Sequence, residues 1–246
     1  MSSLDHSHQA ESLAAHSADP HSSGSRLSEI ILGGQDGLVN VLGVILGVAA
    51  ATNDPQIVLA AGMAATFAES VSMGAVAYTS TRAENDLYRS EQEREFRHIR
   101  LAPELEEKEV REIYARKGFE GKTLDKIVDV ITANPDVWVE VMMAEEHQLN
   151  PPEKQGSAVK SALVVGFAAI VGSLIPLVPF VLLPVHTSMV VSLVIAALTL
   201  FIVGAYKARI TVGNPGRSGL EMAVIGTVSA LVGYAVGLIF KVPVTP

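Results

Sequence analysis

The chain has 246 residues, 49% of them hydrophobic, with a formal net charge of −8 and no cysteine. The lack of cysteine excludes disulfides, thiolate metal sites and thiol catalysis. The acidic balance, without a basic stripe interleaved with aromatics, argues against a nucleic-acid partner. Apolar runs occupy roughly 30–80 and 158–240, whereas charges crowd into 82–154. This segregation is typical of a membrane protein with a hydrophilic insert.

The first segment, residues 1–28, is rich in Ser, Ala and His and has no apolar run of the kind found in signal peptides. Its composition predicts a disordered tail. Four of the seven histidines lie in it, at irregular spacing: His6, His8, His16 and His21. That spacing favours an ordinary polar tail over one that captures metal.

Five apolar segments follow, each long enough for the roughly 20 residues that a membrane-spanning helix needs. They cover about 32–51, 56–79, 158–178, 182–206 and 220–240. The stretch TNDPQ at 52–56 predicts a tight turn between the first two spans. The proline-bearing stretch IPLVPFVLLP at 175–184 separates the third span from the fourth.

The basic residues predict the orientation. Thirteen of the 18 Lys and Arg lie in 82–160 and three more precede the last span, whereas the loops at 52–56 and 179–184 have none. The positive-inside rule therefore places the N-terminus and both charged loops in the cytosol. We predict an all-α, multi-pass protein with spans one and two within 29–81, a three-helix cytosolic insert over 82–156, and spans three to five within 157–246.

The insert is predicted to continue the second span from Arg82 to about Arg100. A second helix runs from Pro103 to about Lys117, and a third from Leu124 to about Leu149, with an interruption at Asn134–Pro135 left open. Helical spacing predicts a small core in which the third helix packs on the second, formed by Leu124, Ile127, Val128, Ile131, Val110, Ile113 and Tyr114.

Polar residues interrupt the first two spans. Asp36 could be a helix N-cap, but Gly37 to Ala51 would then give only about 22 Å of helix against a hydrocarbon core of about 30 Å. A carboxylate at depth costs about 3 kcal/mol, which makes Asp36, with Asn40 one turn on, a functional candidate. Glu69 lies midway along the second span and shares a helix face with Met73. Such a glutamate usually marks an ion or proton path.

The insert carries the second group of candidates, which combine carboxylate, imidazole and thioether side chains. They are Glu91, Glu95, His98, Glu106, Glu109, Met142, Met143 and Glu146. Taken in pairs, these glutamates fit solvated helix faces with salt bridges. Together with the methionines they form a mixed hard and soft donor set that suits a first-row divalent ion better than calcium or magnesium. Both interpretations remain open from chemistry alone.

The order of three motifs resembles the vacuolar iron transporter family. These are Asp36-Gly37 in the first span, Ser72-Met73-Gly74 in the second, and the MMxxE sequence Met142-Met143-Ala144-Glu145-Glu146 that ends the insert. The resemblance covers about residues 28–241. It implies a homodimer that exports ferrous iron, often with manganese, from the cytosol in exchange for protons. Zinc is a further candidate substrate, and no permanently bound cofactor is expected.

The resemblance also implies roles for individual residues. Asp36 and Met73 would line the ion path, and the insert would collect metal through Glu95/His98, Glu106/Glu109 and Met142, Met143 and Glu146. The sequence departs from the family pattern at His98, where a second glutamate is expected, and at Val41, where some members have proline. We do not assign Glu69 to a family position, so its predicted role depends on its place in the membrane.

Two other functional classes compete with a transporter. A membrane-anchored ferroxidase or iron-storage module would typically use Glu-x-x-His motifs on facing helices, and only Glu95-Phe96-Arg97-His98 is present. A metal sensor or scaffold would leave Asp36 and Glu69 without a role. The chain has no nucleophilic triad or phosphate loop, so we do not expect an enzyme. The composition fits a bacterial inner membrane, or a vacuolar membrane if the source is eukaryotic.

Overall fold

The computed structural model describes residues 23–151, 156–211 and 213–241, and these residues form helices, turns and short connections without a β-strand. The tail expected at 1–28 therefore lies largely outside the described part. The chain divides into two compact units. One contains the described residues up to Ala77 and from Val159 onward, and the other comprises Tyr78–Ala158.

The first unit contains the apolar helices. They are α1 (Ser23–Thr52), the first half of α2 (Pro55–Leu101), α6 (Ser157–Leu174) followed by a 3₁₀ turn (Ile175–Leu177) and α7 (Val178–Leu182), α8 (Val185–Ile210) and α9 (Pro215–Ile239). Five stretches among them are long and apolar enough to cross a membrane. The predicted number of spans is therefore confirmed. Large apolar side chains such as Val71, Leu163 and Phe167 are about 70% exposed, which suits lipid and not water.

The turn between α1 and α2 has a clear local cause. Asn53 adopts a left-handed backbone conformation with φ of 52°, which ends α1. Asp54 then caps α2, because its Oδ1 accepts hydrogen bonds from the backbone N–H groups of Gln56 at 2.8 Å and Ile57 at 3.2 Å. Pro55 occupies the first turn of α2, where its missing N–H costs nothing.

Serine side chains stabilise the proline-rich connection between α6 and α8. Ser192 Oγ donates a hydrogen bond to the Pro176 carbonyl at 2.7 Å, and Ser188 Oγ donates one to the Pro179 carbonyl at 3.0 Å. Backbone carbonyls left free by proline would be costly in an apolar surrounding, so these two buried hydroxyls make the break in the helix tolerable.

The second unit contains the end of α2 with α3 (Pro103–Arg116), α4 (Gly121–Thr132) and α5 (Pro135–Glu145). Its core combines the predicted residues Val110, Ile113, Leu124, Val128 and Ile131 with side chains that the sequence had not placed there: Tyr88, Ile99, Trp138, Val139, Met142 and Met143. Ile127 and Tyr114 are partly buried against this core, as expected.

The third predicted helix of the insert is in fact two helices. The break falls at Asn134, whose side chain accepts a hydrogen bond from the backbone N–H of Asp136 at 2.9 Å and so caps α5. The second difference is at the end, because α5 stops at Glu145 and not near Leu149. Gln148 takes a positive φ of 54°, and the Leu149 N–H bonds back to the Met143 carbonyl at 2.9 Å, which closes the helix end.

Candidate functional site

Three of the predicted polar residues lie close together in the apolar unit. Glu69 on α2 lies close enough to Asp36 and Asn40 on α1 for both of their side chains to interact with it. Asp36 lies well inside a helix that begins at Ser23, so the N-cap interpretation is wrong. Glu69 and Asp36 are half-buried and Asn40 is exposed. Met73 follows one turn after Glu69 and is also half-buried.

Glycines next to the carboxylates set how closely the surrounding helices approach. A methyl group at Gly37 would overlap the carbonyl oxygen of Ala169 on α6 and lie 2.7 Å from Ser173 Oγ. On α2, Ser70 Oγ donates a hydrogen bond to the Gly166 carbonyl of α6 at 2.9 Å. The glycine of the Asp36-Gly37 motif is thus a packing residue that lets α6 lie against the helix that carries Asp36.

A second polar group lies inside the insert, around Glu95. The Glu95 side chain is 2% exposed, although it is a carboxylate at the end of a long helix. His98 Nδ1 lies 3.6 Å from Glu95 Oε1 and 3.4 Å from Glu106 Oε1, and the Glu106 side chain from α3 is itself buried. His147, in the turn after α5, places Nε2 3.1 Å from Glu95 Oε1.

These side chains form two sets of three groups whose donor atoms lie within 4.8 Å of one another. One set is Glu95, His98 and Glu106, and the other is Glu95, Glu146 and His147. The sets share Glu95. Carboxylate oxygen and imidazole nitrogen are the usual ligands of first-row divalent ions, so the cluster has the composition of a metal site. Glu95 Oε2 and Glu106 Oε2 are buried with no hydrogen-bond partner, which is costly unless something else binds them.

The electrostatics of the cluster favour a bound cation. Burial raises the pKa of Glu106 to about 7, and the negative charges of Glu95, Glu109 and Glu146 add to that shift. Burial also raises the pKa of Glu146, with a further contribution from the charge of Glu109. A divalent cation would relieve this repulsion between carboxylates, as a proton does in its absence.

The remaining predicted ligands lie in different surroundings. Glu109 is exposed on α3, near enough for its charge to act on Glu106 and Glu146. Glu91 pairs with Arg94 at 2.9 Å and belongs to neither set. Met142 and Met143 are fully buried in the apolar core of the insert. His147 was missed by sequence reasoning. It lies 52 residues from Glu95, and it stands in a turn where the sequence pattern predicted a continuous helix.

The described residues therefore define a multi-helix membrane protein whose insert holds a cluster of buried carboxylates and more exposed imidazoles. A family model described as the VIT family matches residues 27–238, and the chain belongs to that family. The resemblance seen in the motifs is thereby confirmed.

Several named proteins are similar to this chain. Vacuolar iron transporter 1 of Arabidopsis thaliana is 33% identical over 235 residues, which cover 95% of this chain and 94% of the relative. Vacuolar iron transporter 1 of Tulipa gesneriana is 33% identical over 208 residues, 84% of each chain. The vacuolar iron transporter of Plasmodium falciparum (isolate 3D7) is 28% identical over 240 residues, 92% of this chain and 88% of the relative.

Proposed function

We propose that this protein is a proton-coupled transporter, not an enzyme, and that it moves ferrous iron out of the cytosol. The observation that carries this proposal is that the carboxyl groups of Asp36 and Glu69 lie next to each other between two apolar helices of a VIT family chain. Carboxylates inside membrane helices usually mark ion or proton paths. The names of the relatives supply iron as the first substrate to test. Manganese and zinc are the next candidates.

In this proposal the insert collects the ion before it enters the path. The set Glu95, His98 and Glu106 and the set Glu95, Glu146 and His147 offer oxygen and nitrogen ligands to a divalent ion. The proposal keeps four further residues of the insert as predicted metal ligands: Glu91, Glu109, Met142 and Met143. The ion is cargo, so no permanently bound cofactor is needed.

The proposal includes a homodimer in which the N-terminus of each chain faces the cytosol. Asn40 is exposed on α1, in an open groove with the small residues Gly43, Gly47, Ser229 and Gly233. An amide facing lipid is unfavourable, and small residues let a second pair of helices approach closely, so a second copy would cover this face. The membrane would be vacuolar in a eukaryote, as for the named relatives, or the inner membrane in a bacterium.

The test is ferrous iron uptake into proteoliposomes that contain the purified protein, with and without an imposed pH gradient. We expect uptake to follow the gradient and to disappear in Asp36→Ala. The matched control is Glu221→Gln, which neutralises a carboxylate of α9 outside the pair. Wild-type uptake in Asp36→Ala would remove this residue from the path, and uptake that ignores the gradient would contradict proton coupling.

A membrane-anchored ferroxidase or iron-storage module is the second candidate, because the structure adds His147 to the single Glu-x-x-His motif around Glu95. The same liposomes distinguish the two functions. A transporter accumulates iron(II) inside the vesicle, whereas a ferroxidase consumes oxygen and produces iron(III) with no uptake.

A further inference from the structure

The turn after α5 brings an imidazole to the buried carboxylate of the insert. The Glu146 and His147 N–H groups both bond to the Met142 carbonyl, at 3.0 and 3.2 Å, so the chain bends back immediately after the helix. This bend directs the His147 side chain toward Glu95, where its Nε2 lies 3.1 Å from Oε1. The side chain is 23% exposed, so an ion from solvent has access to it.

The distances between the donor atoms fit a metal site better than a hydrogen-bond network. Ligands at about 2.1 Å from a tetrahedral ion lie about 3.4 Å from one another. The distances of His98 Nδ1 from Glu106 Oε1 and Glu95 Oε1 are 3.4 and 3.6 Å, and both exceed the usual range for a hydrogen bond. The contact of His147 with Glu95 is short enough for a hydrogen bond, and an ion would take the place of its proton.

A second observation indicates a ligand at this cluster. Glu95 is 2% exposed and Glu106 is 6% exposed, yet one oxygen of each carboxylate is buried without a partner. A fold that only needed Glu95 to bind two histidines would not leave these oxygens unsatisfied. An ion in this cluster that also binds these Oε2 atoms would satisfy them.

We propose that His147 is a nitrogen ligand of the insert and, with His98, directs the site toward the later first-row ions Co²⁺ and Zn²⁺ over Mn²⁺. The inference rests on the proposed role of the insert in collecting metal and deepens it by naming the ions. Imidazole suits zinc and its neighbours, whereas carboxylate and water suit manganese. Two imidazoles near Glu95 Oε1, at 3.6 Å for His98 and 3.1 Å for His147, therefore shift the preference of a cluster that would otherwise consist of oxygen ligands.

The experiment is a titration of the full-length protein in detergent with Co²⁺, followed by visible absorption, and competition with Zn²⁺ and Mn²⁺. The parent chain carries replacements that remove imidazoles of the tail: His6→Gln, His8→Gln, His16→Gln and His21→Gln. In His147→Gln we expect the affinity for Co²⁺ and Zn²⁺ to fall about tenfold or more, since even the loss of an outer-sphere partner costs this much. The affinity for Mn²⁺ should change much less, and the Co²⁺ spectrum should shift.

Two further variants make the outcome specific. His186→Gln removes an exposed imidazole of α8 and should leave all three affinities unchanged. His147→Glu replaces nitrogen by oxygen and should keep Mn²⁺ binding while weakening Zn²⁺ binding. Parent-like binding of Co²⁺ and Zn²⁺ by His147→Gln would overturn the proposal.

Glu95→Gln separates this failure from that of the proposed function. If Glu95→Gln loses metal while His147→Gln does not, the insert still collects ions and only the role of His147 is wrong. If neither change affects binding, the insert is not the collecting site and both proposals fail.

Discussion

The side chains of Glu69 and Asp36 lie next to each other, although they belong to two helices that are each apolar enough to cross a membrane. Two carboxylates this close repel each other, and either a proton or a cation relieves the repulsion. A metal cation and a proton therefore compete for this place, and one can exchange for the other. This exchange is the simplest physical basis for coupling metal movement to protons.

Glu69→Gln should uncouple the transporter without unfolding it. Glutamine preserves the size of the side chain and can still donate a hydrogen bond to Asp36, but it releases no proton. We expect residual iron uptake that is independent of the pH gradient, and no alkalinisation or acidification reported by a dye inside the liposome. Glu221→Gln serves as the control in α9. Proton movement at the parent rate in Glu69→Gln would show that the proton uses another group.

Glu106 should make metal binding by the insert depend on pH. Its pKa of about 7 means that below pH 7 an incoming ion must displace a proton from this carboxyl group. The affinity for Mn²⁺ should then fall by up to about tenfold for each pH unit below 7 from this group alone. Titrations between pH 5.5 and 8 check this. In Glu106→Gln each bound ion should displace one proton fewer, so the affinity for Mn²⁺ should depend less steeply on pH. An unchanged slope of log affinity against pH would contradict the assignment.

The same group predicts how the metal-free insert responds to pH. Its pKa is raised from 4.5, so between about pH 4.5 and 7 the folded insert holds a proton that the unfolded chain has released. The free energy of unfolding therefore falls as the pH rises through this window. Amide hydrogen exchange in α3 and α5, corrected for the intrinsic rate, should be faster at pH 7.5 than at pH 5.5. Glu106→Gln should remove most of that difference.

The sequence predicted the fold well wherever a feature depends only on the residues within one helix. Runs of about 20 apolar residues suffice to predict a span, and helical spacing placed Val110, Ile113, Leu124, Val128 and Ile131 in the core of the insert. The hydrophobic pattern failed at the end of α5. Gln148 adopts there the left-handed conformation that glycine usually takes. The sequence therefore has no glycine that would have indicated the end of the helix.

The candidate site was predicted only in part, since its residues come from different helices. Spacing within a helix relates Glu95 to His98, but no local pattern relates His147 to Glu95 or Glu69 to Asp36. These pairs depend on how helices pack, which a single sequence does not express. The only available signal for His147 was its position directly after Glu146 of the MMxxE sequence, and that signal became meaningful once the turn was known.

A conservative substitution can test whether Met142 and Met143 bind metal or only fill the core of the insert. Both are fully buried in the core of the insert, so alanine would leave cavities that cost about 2–5 kcal/mol each. Leucine preserves the volume at a cost below about 1.5 kcal/mol and removes the thioether. If a sulfur atom binds iron, Met142→Leu/Met143→Leu should weaken Fe²⁺ binding more than Mn²⁺ binding, with the melting temperature nearly unchanged. Equal affinities before and after would assign both methionines to packing alone.

Gly37 should be intolerant of even one methyl group, because α6 lies directly against it. A Cβ there would overlap the backbone carbonyl oxygen of Ala169, which cannot move without shifting the helix. We expect Gly37→Ala to cost about 1–3 kcal/mol of stability, to lower the melting temperature in detergent, and to reduce iron uptake by displacing the neighbouring Asp36.

Gly34 is the matched control on the same helix. A methyl group at Gly34 would lie 3.6 Å from the Ala168 carbonyl oxygen of α6, an ordinary van der Waals distance. Gly34→Ala should therefore melt like the parent or slightly higher, because alanine favours the helix. Equal melting temperatures for the two variants would mean that α1 and α6 are packed less closely than the structure shows. A stable Gly37→Ala protein with full uptake would show that Asp36 functions without a glycine beside it.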